Sequence, residues 1–189
     1  MAYLSLADAK TLLGLASADT SDDVFLQLVL NGAQGAVDRY CGRTFEAQAA
    51  TRYYGIGYTG RDEQVLYLDQ DLYSITSLTN GDGVQVFDPS QYWLKPRNGG
   101  PPYGWIELKS SVVWQWVQDG EIVVAGMWGY SLTAPVDVVE AMKELVGRIY
   151  HSYDRQDQKI RGNTAAAIQE SQGFPLQLQT LLAPFKRSI

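Results

Sequence analysis

Residues 23–42 read DVFLQLVLNGAQGAVDRYCG, and this stretch decides the fold. Its spacing predicts one helix that ends near Cys41, with Gly42 at the position after a helix that favours glycine. A helix that is apolar on two stripes must be covered on two sides, by its own core and by a second domain or subunit. One stripe consists of Phe25, Leu28, Val29, Gly32, Ala36 and Tyr40. We expect the other stripe to contact a neighbouring subunit through Leu26, Leu30, Ala33 and Val37.

A shorter helix precedes this stretch, and a long one follows later in the chain. Ser5 begins a capping box in which Asp8 replaces the usual Glu, and the short amphipathic helix ends at Gly14. Pro135 favours a helix start, because proline lacks the N–H that a first turn leaves unpaired. We therefore predict a helical segment over residues 1–43 and a long helix over 132–161 that packs on it.

Between these helices, residues 44–131 change to period-two hydrophobicity with frequent turn residues. The segment Asn80-Gly81-Asp82-Gly83 is a strong hairpin signal. Strands are predicted at 65–68, 75–78, 84–86, 92–94, 105–108 and 122–125. Short strands at roughly ten-residue spacing predict a sandwich or small barrel. The predicted fold class is thus α+β, with packed helical N- and C-terminal segments and an inserted antiparallel β-sandwich or barrel-like domain.

The last predicted region, 162–189, combines a linker with an apolar segment. Residues 162–173 are mainly Gly, Asn, Thr, Ala, Gln and Ser, which is typical of a mobile linker. The segment from Phe174 to Ile189 is richer in apolar residues. We expect it to dock, either on its own domain or on a partner.

Composition excludes several classes of function. The 189 residues include one Cys and one His, so a disulfide framework is impossible and a Cys/His zinc site is nearly excluded. A net charge of −6 argues against a general nucleic-acid binder. We recognise no secretory signal and no stretch long enough to span a membrane, and we expect a chain made in the cytoplasm, with no membrane partner.

Few residues are candidates for catalytic chemistry. Acidic pairs such as Asp69 and Asp71 lie at predicted turns, where Asp usually bonds the local backbone. His151 and Cys41 lie on separate predicted helices and make no recognisable catalytic arrangement. We expect no enzymatic activity, no cofactor and no metal. The aromatic-rich stretch 92–105 supports one alternative, a β-sandwich module that binds a carbohydrate or a protein.

Three further short motifs follow one another along the chain. Residues 41–45 (CGRTF) follow the second helix, residues 126–130 (GMWGY) end a strand, and residues 134–135 (AP) begin the long helix. In this order, over about residues 3–155, the chain resembles the head–tail connector (adaptor) proteins of tailed bacteriophages.

The resemblance implies a structural protein of the virion neck, assembled in the host cytoplasm. Such connectors form a ring, typically of twelve subunits, beneath the portal. The ring extends the channel, through which DNA passes without specific binding, and joins the head to the next neck or tail protein. Because the C-terminal segment of related proteins reaches the portal, the resemblance assigns portal docking to Phe174, Leu176, Leu178, Leu181, Leu182 and Phe185.

Contact with the next neck protein is expected from the β domain. Two of its segments, 55–62 and 95–104, are predicted to be a hairpin tip and a loop. We expect these loops to present Tyr58, Arg61, Arg97 and Tyr103 to the partner.

Overall fold

The computed structural model describes residues 2–59, 64–117, 119–160 and 174–187, with the backbone alone for 154–160. The chain divides into two compact units. We call Met1–Gly42 with Ala134–Ile189 the helical unit, and Arg43–Thr133 the β unit. The predicted linker, 162–173, lies outside the described residues.

Four α-helices form the described part of the helical unit. They are α1 (Leu6–Leu13), α2 (Asp23–Cys41), α3 (Val136–Ile160) and α4 (Leu176–Leu182), and a 3-10 turn, Ala183–Phe185, follows α4. Helix α3 packs against each of the other three. The buried apolar residues of α3 repeat at helical spacing, as expected for one inward face: Val138, Ala141, Met142, Leu145 and Val146.

Local signals set the ends of the first two helices. The Asp8 N–H donates to the Ser5 hydroxyl at 3.1 Å, which satisfies a donor that the first turn leaves free. Gly14 and Gly42 end α1 and α2 with left-handed φ angles of 70° and 66°, a conformation that glycine adopts without steric cost. The predicted starts and ends at these residues are confirmed.

A buried lysine holds the connection between α1 and α2. The Lys10 ammonium lies 2.5 Å from a carboxylate oxygen of Asp23 and donates to the Asp19 carbonyl at 2.6 Å. Its side chain is only 7% exposed, so these acceptors replace the water that the charge has lost. Lys10 thereby joins the end of α1 to the start of α2.

The β unit contains one open antiparallel sheet with the strand order β1-β5-β2-β4-β3. The strands are β1 (Gln48–Tyr54), β2 (Val65–Thr79), β3 (Tyr92–Lys95), β4 (Tyr103–Leu108) and β5 (Ile122–Trp128). This confirms an α+β chain with an antiparallel β region. The described strands do not form a second sheet or a closed barrel.

Strand β2 is the long central strand of the sheet. From Val65 it pairs with β4, and from Leu72 to Thr79 it pairs with β5, with register shifts near residue 72 and again before Ser77. The sequence patterns at 65–68 and 75–78, predicted as two strands, thus belong to one. Residues 84–86 were predicted as a strand, but there Val86 makes only an isolated bridge to Thr79.

One face of the sheet carries the core of the β unit. Loop residues Phe87 and Trp114 cover this face and meet edge-to-face at 5.3 Å. The indole N–H of Trp128 donates to the Ala50 carbonyl at 3.0 Å, which ties β5 to the edge strand β1. The strands contribute mainly aliphatic residues to this core, among them Leu66, Leu72, Leu78, Ile106, Ile122 and Val124.

Candidate functional site

The stripe of α2 that was expected to face a neighbouring subunit lies inside the helical unit. Each of its four predicted contact residues is at most 1% exposed: Leu26, Leu30, Ala33 and Val37. The prediction that these residues form the subunit interface is wrong, because they already pack within their own unit.

A different face of α2 is open to a partner. Val24 is 78% and Leu28 66% exposed, and Gly32 is exposed one turn further along the helix. A Cβ atom built on Gly32 would meet nothing within 4 Å. Because the three positions are spaced i, i+4 and i+8, they share one side of the helix. We call Val24, Leu28 and Gly32 the outer face of α2.

The segment predicted to dock on the portal folds onto its own helical unit. Leu178 and Leu182 of α4 are fully buried. The Phe174 ring stacks on Tyr40 of α2 at 4.7 Å, and the Tyr40 hydroxyl donates to the Gln179 carbonyl at 3.2 Å. The predicted portal contacts of Leu178 and Leu182 are therefore wrong, because both side chains are core residues of the helical unit.

The rest of the predicted portal-docking set remains accessible to different degrees. Leu176 is 77% exposed at the start of α4. The other three members are half-buried: Phe174, Leu181 and Phe185. We call Leu176 with these three the outer side of α4.

The three described residues that were predicted to contact the next neck protein lie in different elements of the β unit. Tyr58 lies in a 3-10 turn after β1, 45% exposed, with its ring edge-on to Tyr54 at 5.1 Å. Arg61 lies outside the described residues. Tyr103 belongs to strand β4 and packs against the β core, so its predicted place in a partner-binding loop is wrong. Arg97 lies exposed in the loop after β3.

Arg97 belongs to a cluster of cations around one indole. The charged groups of Lys95, Arg97 and Lys109 lie 5.3, 5.1 and 5.5 Å from the centre of the Trp93 ring. The Lys95 ammonium also pairs with Glu107 at 2.6 Å. Lys95 and Lys109 were not predicted as site residues. Their alternation with Trp93 and Glu107 along β3 and β4 was a signal that could have found them.

Two exposed aromatic residues extend this surface. Trp105 of β4 lies opposite Lys95 of β3 and opposite Tyr67 of β2, and directly paired residues project from the same face of a sheet. We call the surface formed by Trp93, Lys95, Arg97, Lys109, Trp105 and Tyr67 the cationic sheet face. The aromatic stretch that suggested a carbohydrate module offers few free rings, since Tyr92 is buried and cations surround Trp93.

Two groups that could carry chemistry, the Tyr54 hydroxyl and the Cys41 thiol, belong to buried core residues. Burial, with the hydrogen bond that its hydroxyl donates to Asp69, raises the pKa of Tyr54 far above its usual value, so this phenol stays protonated. Cys41 is buried. In the ranges that the structure describes, no group of three His, Cys, Asp or Glu residues is placed to hold a metal ion. Among the same residues, no helix combines the length and hydropathy that a membrane span needs.

Asp38 of α2 has a carboxyl group whose pKa is perturbed. The Tyr3 hydroxyl donates to it at 2.6 Å. Burial raises the pKa of Asp38 above its ordinary value of 3.8, and the hydrogen bond from Tyr3 only partly opposes this. When a carboxyl has a higher pKa in the folded state than in the unfolded state, the folded protein loses stability as the pH rises from the lower pKa through the higher one.

We expect Asp38→Asn to remove one pH-dependent loss of stability. Below pH 3.8, Asp38 is protonated in both states. As the pH rises from there through the raised pKa of the folded state, the wild type should lose stability relative to the variant. Asn can still accept the hydrogen bond from Tyr3. Urea unfolding of both proteins over a pH series measures the difference. A difference in unfolding free energy that does not change with pH would contradict the expectation.

Comparison with known proteins identifies the family. The model of the head completion protein family matches residues 2–188. The chain belongs to the head completion protein family. The match spans both units of this head completion protein and confirms the resemblance to head–tail connectors. No curated protein sequence matches it.

Solved structures of neck and virion particles share the fold of this head completion protein. A chain from the neck of an empty gene transfer agent (GTA) particle, computed with C6 symmetry, has a TM-score of 0.66 at 18% identity, with 99% of this chain and 91% of that chain covered. A chain from the virion of the native GTA particle has a TM-score of 0.64 at 17% sequence identity, with 99% of this chain and 91% of that chain covered. A chain from the neck of the native GTA particle, computed with C12 symmetry, has a TM-score of 0.57 at 14% sequence identity, with 97% of this chain and 90% of that chain covered.

Proposed function

We propose that this head completion protein forms a ring beneath the portal, extends the DNA channel and has no enzymatic activity. Membership of the family establishes a structural role in head–tail connection. The ring, its position and its twelve-fold stoichiometry are our proposal. The observation that carries it is the outer face of α2, where apolar side chains lie in solvent.

The outer face of α2 is suited to contact a neighbouring copy. Val24 and Leu28 are among the most exposed large apolar side chains of the described residues. Because Gly32 has no side chain, another helix can approach α2 closely at this position. A contact of this face with a different surface of the next subunit is heterologous, and repeated heterologous contacts close into a ring when the rotation allows.

The outer side of α4 is suited to contact the portal. Its anchor on the helical unit is internal, through Leu178 and Leu182, so Leu176 is left to face outward. Docking of a segment that is already folded avoids the entropic cost of ordering a free tail. We therefore propose that the portal binds α4 in its folded position.

The remaining assignments concern DNA and the next neck protein. The net charge of −6 suits a channel through which DNA slides, because basic walls would hold DNA by counterion release. Tyr58, exposed in the turn after β1, and Arg61 are proposed contacts of the next neck protein. During assembly the chain is proposed to reside in the host cytoplasm.

Addition of the purified protein to DNA-filled heads that carry a portal but lack this protein tests the proposal. We expect a ring at the portal vertex by electron microscopy and heads that become competent to join tails. Binding elsewhere on the capsid, or a single copy at the vertex, would contradict it.

A further inference from the structure

Two loops of the β unit are locked together beyond the end of β2. Asn80 is completely buried, and its side-chain amide donates to the Val113 carbonyl at 3.3 Å. The Gln115 N–H donates to the Asn80 side-chain oxygen at 2.9 Å. A Cβ atom on Gly81 would lie 2.5 Å from the Gln115 carbonyl oxygen, so only glycine fits this close approach. We call residues 80–86, 113–117 and 119–121 the acidic tip.

The acidic tip exposes apolar side chains and carboxylates. Its four valines are each more than half exposed, with Val84 at 83%: Val84, Val86, Val113 and Val117. Its carboxylates are Asp82, Asp119 and Glu121, and its sequence contains no Lys or Arg. Exposed apolar side chains together with carboxylates give the tip the composition that a contact with a basic, aromatic surface requires.

The cationic sheet face has the opposite charge. Among the described residues of the β unit, the cations outside this face are Arg43 and Arg52, which lie near Asp71 and Asp69. Lys95, Arg97 and Lys109 therefore concentrate the remaining positive charge around Trp93. Exposed Trp, Tyr and Arg are also the residue types that dominate binding energy in protein interfaces.

The two surfaces lie at different ends of one strand. Tyr67 belongs to the cationic sheet face, and Thr79 directly precedes the acidic tip. The intervening strand corresponds to at most about 40 Å at roughly 3.3 Å per residue. One copy therefore offers its two charged surfaces in different places, as a head-to-tail contact requires.

We propose that the cationic sheet face of one copy binds the acidic tip of the next copy. The inference rests on the proposed ring and adds a β-unit contact to it. DNA is the less fitting occupant, because cations already surround the Trp93 ring on which a base would stack, and because Glu107 lies within the face. The tip supplies the carboxylates and apolar side chains that the face would meet.

A charge exchange between two variants tests the contact. The first variant carries Arg97→Glu and Lys109→Glu, so both of its surfaces are acidic. The second carries Gln115→Lys, Asp119→Asn and Glu121→Lys, so both are basic. Asn is used at residue 119 because its φ of 61° is left-handed, which Asn tolerates. Each variant alone should lose self-association, whereas their mixture should restore it.

Analytical ultracentrifugation of each variant and of the mixture gives the readout. We expect the mixture to associate at least about tenfold more tightly than either variant alone, and to weaken as salt is added. A control variant, Lys143→Glu with Arg148→Glu, has the same net charge as the first but an intact sheet face. Because its sheet face and its acidic tip are both intact, this control should self-associate like the wild-type protein.

Two results would overturn the proposal. One is a mixture that associates no better than its components. The other is a wild-type sheet face that binds duplex DNA while the mixture gains nothing. If Lys109→Glu lowers stability, Arg97→Glu with Lys109→Gln keeps the test, because Arg97 lies in an exposed loop and Glu107 still leaves the face acidic. Failure of the head-binding test would refute the connector ring without changing the mixture result.

Discussion

Replacement of Leu30 by Asp should unfold the helical unit. Leu30 is 1% exposed, so the change removes a packed side chain and places a carboxylate where no water reaches it. We expect the unfolding free energy to fall by more than about 4 kcal/mol, a large part of the stability of an ordinary domain. Thermal unfolding followed by circular dichroism measures the loss.

The matched change Leu28→Asp should leave the protein folded. Leu28 lies two residues away on the same helix but is 66% exposed, so the new carboxylate stays in water. Its effect on stability should be about 0.5 kcal/mol or less. If the outer face of α2 contacts a neighbouring copy, the Leu28→Asp protein should fold normally but form no ring. A stable Leu30→Asp protein would refute the placement of this stripe in the core, and rings of Leu28→Asp would refute the proposed interface.

Truncation of Leu178 to Ala should have the second-largest effect. Leu178 is fully buried where α4 packs on the helical unit, so the change leaves a cavity. Leu-to-Ala changes of this kind cost about 2–5 kcal/mol. Urea unfolding provides the measurement. A loss below about 1 kcal/mol would mean that α4 is held only loosely, as a free docking segment would be.

Leu176→Ala is the control on the same helix. Leu176 is 77% exposed, so its truncation should change stability by about 0.5 kcal/mol or less. It should nevertheless weaken attachment to portal-bearing heads if the outer side of α4 binds the portal. Normal attachment of the Leu176→Ala protein would contradict that assignment, whatever the result for Leu178.

The sequence predicts those parts of the fold that depend on near neighbours. The ends of α1 and α2 follow from a Ser side chain that caps free N–H groups and from glycines that adopt left-handed φ, and both effects act within a few residues. The same is true of the start of the long helix at Pro135, since α3 begins at Val136.

The sequence does not predict which stripe of α2 faces inward. Both stripes are apolar, and periodicity places residues on a common side of a helix without saying what covers that side. The choice depends on α3 and α4, which begin about 95 and about 135 residues after the end of α2. For the same reason, the apolar pattern of residues 174–185 could not distinguish a core segment from a partner-binding one.

Sheet contacts over long sequence distances were also beyond prediction. Strand β1 was missed because Ala49, Ala50 and Gln48 are weak strand formers, and it owes its conformation to pairing with β5. The cationic sheet face illustrates the same limit. Trp93 and Lys109 lie sixteen positions apart, and only the pairing of β3 with β4 brings them together.

The division of the helical unit into two sequence segments has a consequence for synthesis on the ribosome. The β unit, Arg43–Thr133, is continuous and is synthesised in full between α2 and α3. At about 5–20 residues per second, the buried stripe of α2 waits roughly 5–20 s for the helix that covers it. During that interval the β unit is being made, and the apolar side chains of α2 that α3 will cover stay exposed. Until α3 is made, α2 is therefore the segment of the nascent chain with an exposed apolar stripe that needs protection from aggregation.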